Sequence, residues 1–145
     1  MKSKLFIILL VSIGFSQNTR YLDEVFDEVT KIENVVYGNA PDLPFWFWVE
    51  SNTVDIDLDM DIYEPEGDTL TNRPVIIFAH TGSFFSGHNE LDDVVDLSIS
   101  AAKRGYVAIS INYRLGLNIL STYSGERAVY RAVQDGGAAI RYLRE

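Results

Sequence analysis

The residues with most chemistry to offer lie in one glycine-bearing stretch, His80-Thr81-Gly82-Ser83-Phe84-Phe85-Ser86-Gly87. Glycine at such a place lets backbone amides approach a ligand through conformations and contacts that a Cβ forbids. The stretch is not a phosphate loop, because neither G-x-x-x-x-G-K-[ST] nor G-x-G-x-x-G occurs at this turn. A second group, Asp55, Asp57, Asp59 and Asp61, invites a calcium reading. A calcium loop needs a glycine turn that wraps its ligands around the ion, whereas large apolar residues (Ile56, Leu58, Met60) separate these carboxylates. They are expected instead on the solvent face of a strand, discouraging edge-to-edge pairing. No metal and no cofactor are expected.

The elements that would hold these residues follow from hydrophobic period. Val54, Ile56, Leu58, Met60 and Ile62 alternate with the aspartates, which is the pattern of a half-buried strand. Residues 65–74 form a polar loop. The run 75–79 (VIIFA) is apolar without alternation, as a strand covered on both faces reads. The glycine-bearing loop comes next, so it sits at that strand's carboxyl end, where open parallel sheets bind ligands. Leu91, Val94, Val95, Ser98, Ala101 and Ala102 then mark the inner stripe of a helix running to about Arg104, with Gly105 as its stop. Residues 106–111 (YVAISI) predict a second buried strand, and a last helix carries Val129, Ala132, Val133, Gly136, Ile140 and Leu143 on one side. Two buried strands joined through a helix make a βαβ unit. The class is α/β, an antiparallel hairpin followed by a parallel βαβ.

Upstream, residues 17–32 predict an amphipathic helix or a loose arm, and residues 34–44 a turn-rich stretch; the N-terminal arm is drawn as 17–44 and the domain as 45–145. Phe45-Trp46-Phe47-Trp48 suits a strand whose aromatics pack on the sheet, with a turn at Ser51-Asn52-Thr53. Residues 1–16 read as a secretory signal: Lys2 and Lys4, an apolar run, then Gly14 and Ser16 at −3 and −1 of the cut. That run is well short of the ~20 apolar residues of a membrane span. The expectation is a secreted or periplasmic chain without a membrane span once the signal is removed.

The chain has 145 residues, a net charge of −9, 47% hydrophobic residues and no cysteine. That is apolar material for a core, and it leaves no disulfide, no thiolate ligand and no cysteine nucleophile. The acidic balance argues against nucleic acid, whose backbone calls for clustered Lys and Arg.

The loop at 80–87 resembles the H-G-G-[GAS]-[FW] loop of α/β-hydrolase esterases and lipases. Asp61-Ile62-Tyr63-Glu64-Pro65 is similar to the D-[LIV]-Y-x-P that ends the preceding strand in secreted esterases of that superfamily. Ile111-Asn112-Tyr113-Arg114-Leu115-Gly116 resembles the [ND]-Y-R-L closing the following strand in carboxylesterases and hormone-sensitive-lipase relatives, and residues 132–143 resemble the helix before the nucleophile strand. The resemblance covers roughly residues 54–145. It implies that the chain is the N-terminal portion of an α/β-hydrolase sheet. By the same resemblance Gly82 and Ser83 supply oxyanion-hole N–H groups, His80 and Thr81 structure the loop, and His80 is not the general base. Thr81 departs from the family's usual glycine, and its Cβ disfavours a positive φ. Arg114 and Asp135 are candidates for a buried structural ion pair, since a buried charge calls for a partner.

The nucleophile is missing. None of the glycines starts a G-x-S-x-G, Ser83 and Ser86 sit in the oxyanion loop, and His88 reads as a solvated surface histidine. The serine, acid and histidine of the triad are therefore expected after Glu145. On this reading the chain is the N-terminal part of a secreted serine esterase acting on a small-molecule or polysaccharide ester, inactive by itself. The alternative is a non-catalytic secreted binding module of the same fold. Isolated, the chain is expected to be poorly soluble, with the strand at 106–111 left as an apolar edge.

Overall fold

The computed structural model describes residues 19–43 and 52–145. The expected leader and the aromatic run 45–48 lie outside the described residues, as does Ser51 of the expected turn. Six elements follow one another: β1 (Val29–Asp42), β2 (Val54–Pro65), β3 (Val75–Ala79), α1 (Asp92–Lys103), β4 (Val107–Ile111) and α2 (Ser124–Tyr142). The strands form one mixed sheet in the order β1-β2-β4-β3. β1 and β4 each pair antiparallel with β2, and β3 pairs parallel with β4. This is the α/β class, hairpin first and βαβ second.

Two sequence expectations fail at the amino end. Val29–Asp42 is a long strand of the sheet, where a helix or arm followed by turns was expected. The alternation was hidden because β1 is bulged, with register shifts between Ile32 and Val35 and between Val36 and Gly38, and with Asn34 at φ 56°. Asp61, expected on a solvent face, is only 1% exposed. Its carboxylate accepts the Asn34 N–H freed by the bulge (3.0 Å) and pairs with Lys31 Nζ (3.0 Å). Asp55 and Asp57 are exposed, and Asp59 is half-buried.

The edge also differs. β4, expected at the border of the sheet, lies between β2 and β3, and Ala108, Ile109, Ser110 and Ile111 are all buried. Among the described residues β3 has a strand neighbour on one side only. A crossover through a helix lets a later strand enter between two earlier ones, so chain order does not give sheet order.

The two faces are covered by different helices. On one, Tyr63 and Ala108 pack against Ala101 and Ala102 of α1. The stop at Gly105 is a Schellman motif: Tyr106 N–H bonds Ala101 O (3.2 Å) and Gly105 N–H bonds Ala102 O (2.8 Å), with Gly105 at φ 97°. On the other face Tyr37, Leu58, Met60, Ile109 and Ile111 pack against Ala139 of α2. α2 carries its polarity the unusual way round. Its buried side bears Ser124, Ala128, Arg131, Asp135 and Ala139, while Val129, Val133 and Ile140 of the apolar side are exposed, Val133 by 68%.

Candidate active site

The loop after β3 reaches its shape through several left-handed residues. Gly82 has φ 119°, Ser83 55°, Phe84 62° and Gly87 117°. Consecutive non-glycine residues in the left-handed region each cost about 1–2 kcal/mol, a strain that surrounding contacts must hold. Thr81 is not among the positive-φ residues, so the position where the family favours glycine accepts its Cβ, and its hydroxyl donates to Asp93 Oδ2 of α1 (3.0 Å). Gly82 is irreplaceable on geometry: a Cβ there would stand 1.9 Å from Ser86 O. Its carbonyl accepts from Phe85 N–H (3.0 Å) and Ser86 N–H (3.2 Å), closing the turn. The N–H groups of Gly82 and Ser83 donate to no protein acceptor among the described residues.

His80 is 4% exposed and stacks on Tyr113, ring centroids 4.2 Å apart and planes 13° from parallel. Its Nδ1 lies 2.8 Å from Thr81 O. A carbonyl oxygen only accepts, so the proton is on Nδ1 and Nε2 is the bare nitrogen. Gly87 closes over the ring, with a would-be Cβ only 2.3 Å from Nδ1. Burial pushes the imidazole pKa below its ordinary value, against the hydrogen bond to Thr81 O that raises it. The unfolded chain therefore binds a proton at His80 more readily than the folded one. Stability from this group is complete above about pH 6.5 and falls as the pH drops below it. We expect the urea midpoint of the wild type to decline more steeply from about pH 7 to pH 5 than that of His80→Gln; parallel curves would refute this.

Arg114 and Asp135 meet in the interior, 8% and 2% exposed, with Nη2 2.6 Å from Oδ1. Nε and the Arg114 backbone N–H also donate to this carboxylate, at 3.0 and 2.9 Å, and Nη1 reaches Pro41 O at 3.1 Å. The pair thus joins the end of β4 to α2 and to β1. His88 is exposed, and its Nδ1 accepts from Glu90 N–H (3.2 Å).

Sequence reasoning assigned no role to Asn89, Asn112 or Tyr113, although Asn112 and Tyr113 stood in a quoted motif. Tyr113 OH donates to His80 O (2.9 Å), and Asn112 Nδ2 donates to Asp59 Oδ1 (2.5 Å) and Asn89 Oδ1 (3.0 Å). Beside the loop lies an apolar cavity of about 370 Å3 lined by Ile77, Phe84, Tyr113, Ala132, Gly136 and Ile140, and a second of about 410 Å3 follows β3 past Val75. Among the described residues no cluster of His, Asp or Glu has the geometry to hold a metal ion, and no helix is long and apolar enough to cross a membrane.

A mixed sheet with a glycine turn at the carboxyl end of a parallel strand, its amides without a partner among the described residues, is the framework of an α/β protein. The BD-FAE family model matches residues 60–145, and the chain belongs to the BD-FAE family, which is associated with α/β-hydrolase-like esterases.

Proposed function

We propose that this chain supplies the oxyanion-binding part of a secreted or periplasmic serine hydrolase that cleaves carboxylic esters, small or polysaccharide-borne. The observation that carries the reading is the pair of free amides at Gly82 and Ser83, held in a strained turn at the carboxyl end of β3. Such donors, fixed before the reaction, stabilise the oxyanion of a tetrahedral intermediate without reorganising. A serine outside residues 1–145 attacks the ester carbonyl, and a histidine likewise outside takes its proton. His80 is unsuited to that task, since its ring is buried against Tyr113 and its Nδ1 is committed to Thr81 O. The side of β3 without a strand neighbour and the apolar side of α2, both uncovered among the described residues, suit a further parallel strand carrying the nucleophile on a turn beside the loop. The signal-like residues 1–16 support export.

The test is direct. The 145-residue chain should hydrolyse no p-nitrophenyl acetate above buffer and take no label from a fluorophosphonate. The reading frame should continue past codon 145 into a G-x-S-x-G, and its longer product should do both. Serine-reagent-sensitive turnover by the 145-residue chain would overturn the placement of the nucleophile. A stop codon there, with an inert product, would favour a binding module instead.

A further inference from the structure

The loop that carries the free amides is gripped at two places, and its exit at a third, by one short stretch of chain, residues 112–117. At its start, Tyr113 OH donates to His80 O (2.9 Å) while the Tyr113 ring stacks on the imidazole. In its middle, Gly116 N–H and Leu117 N–H both donate to Phe84 O, at 2.9 and 3.0 Å, and Phe84 meets Tyr113 edge-on with centroids 5.9 Å apart. Past its end, the Asn112 side chain exchanges two hydrogen bonds with Asn89, receiving the backbone N–H at 2.8 Å and donating to Oδ1 at 3.0 Å. Asn112 is itself fixed to β2 through Asp59, and Arg114 to α2 through Asp135. A turn with Ser83 and Phe84 in the left-handed region relaxes unless something outside it holds the strain.

We propose that residues 112–117 are the template that aims the Gly82 and Ser83 amides, with the Tyr113 hydroxyl as the principal positioning group. This rests on the function proposed above only for what the amides act upon; the gripping of the loop stands apart from it. The segment differs from an ordinary connection because the start and middle of the loop and Asn89 just past it all terminate on it, and because it is itself anchored to β2 and α2. Tyr113 is buried and touches the loop at its start and its middle. Removing its hydroxyl leaves His80 O without that donor and frees the first grip without emptying the space.

The experiment is amide hydrogen exchange and amide chemical shifts on the chain, comparing wild type with Tyr113→Phe. The Phe85, Ser86, Gly116 and Leu117 amides, all bonded within or onto the loop, should lose about tenfold or more of their protection through local opening. The Gly82 and Ser83 resonances should move, and the amides of β2 and α1 should keep their protection. Tyr106→Phe, which removes a half-buried hydroxyl just before β4, at the end away from the loop, is the control and should leave the loop untouched. Unchanged loop protection in Tyr113→Phe, or an equal loss throughout the chain, overturns the proposal. In the ester-cleaving polypeptide the same variant should lower kcat about ten- to hundredfold with KM held, as a small misplacement of oriented groups does. No hydrolysis by the wild type would sink the functional reading and leave the exchange result standing. Hydrolysis with kcat unchanged in the variant would sink the template.

Discussion

Asp135→Ala is expected to cost the chain about 3–5 kcal/mol, the usual effect of stranding one member of a buried ion pair. The size follows from what is lost. Asp135 is 2% exposed and receives Arg114 Nε, Nη2 and backbone N–H together, so its removal leaves a guanidinium in the interior and a backbone donor unsatisfied. Against a typical domain stability of about 5–15 kcal/mol this is enough to leave a large unfolded population near 37 °C. Urea unfolding of the wild type, Asp135→Ala, Arg114→Met and the double variant Arg114→Met with Asp135→Leu measures it. The double variant should be more stable than Asp135→Ala, because no charge is then stranded. A loss below about 1 kcal/mol would put the pair in the class of exposed salt bridges and refute its structural weight.

Gly82→Ala should have the second large effect, on activity. The Cβ would stand 1.9 Å from the carbonyl oxygen of Ser86 and on a residue with φ 119°, so the turn cannot keep its shape. Both the hydrogen bonds onto Gly82 O and the direction of its own N–H change together. In the ester-cleaving polypeptide kcat should fall by about 10²–10³-fold, the range for loss of an oxyanion-hole donor. Thr81→Gly is the contrasting case. Position 81 does not use a positive φ, so only the hydroxyl bond to Asp93 is lost and kcat should change little. A Gly82→Ala enzyme with wild-type kcat would remove the loop from the chemistry.

What could be read from the sequence follows how local each signal is. β3, α1 and β4 were legible nearly to the residue, because an unbroken apolar run and a helix stripe ending on Gly105 are properties of a few neighbouring residues. β1 was not. Its two bulges, the first holding Asn34, break the alternation, and Gly38 and Pro41 read as turn residues while they sit in a ladder set by β2. Asp61 was misplaced for a related reason: its partners Asn34 and Lys31 come from that unrecognised strand. In α2 the apolar positions and the Arg114–Asp135 pair were both named, but not that the side bearing Asp135 turns inward while Val129, Val133 and Ile140 stay exposed. The place of the loop after β3 was legible, and its left-handed pair Ser83-Phe84 was not, because the segment 112–117 that holds them lies some thirty residues downstream.

The placement of β4 between β2 and β3 also governs the order in which the molecule can assemble. β1 and β2 are close neighbours along the chain and pair antiparallel, so they can meet early. β3 cannot join them, since its ladder in the described sheet is with β4, whose parallel approach must wait for the α1 crossover to form. Each grip on the 80–87 loop from residues 112–117 comes later still. The part of the chain with the most exacting geometry is thus expected to be shaped last, so that in stopped-flow urea kinetics substitutions there should speed unfolding and leave the folding rate almost untouched.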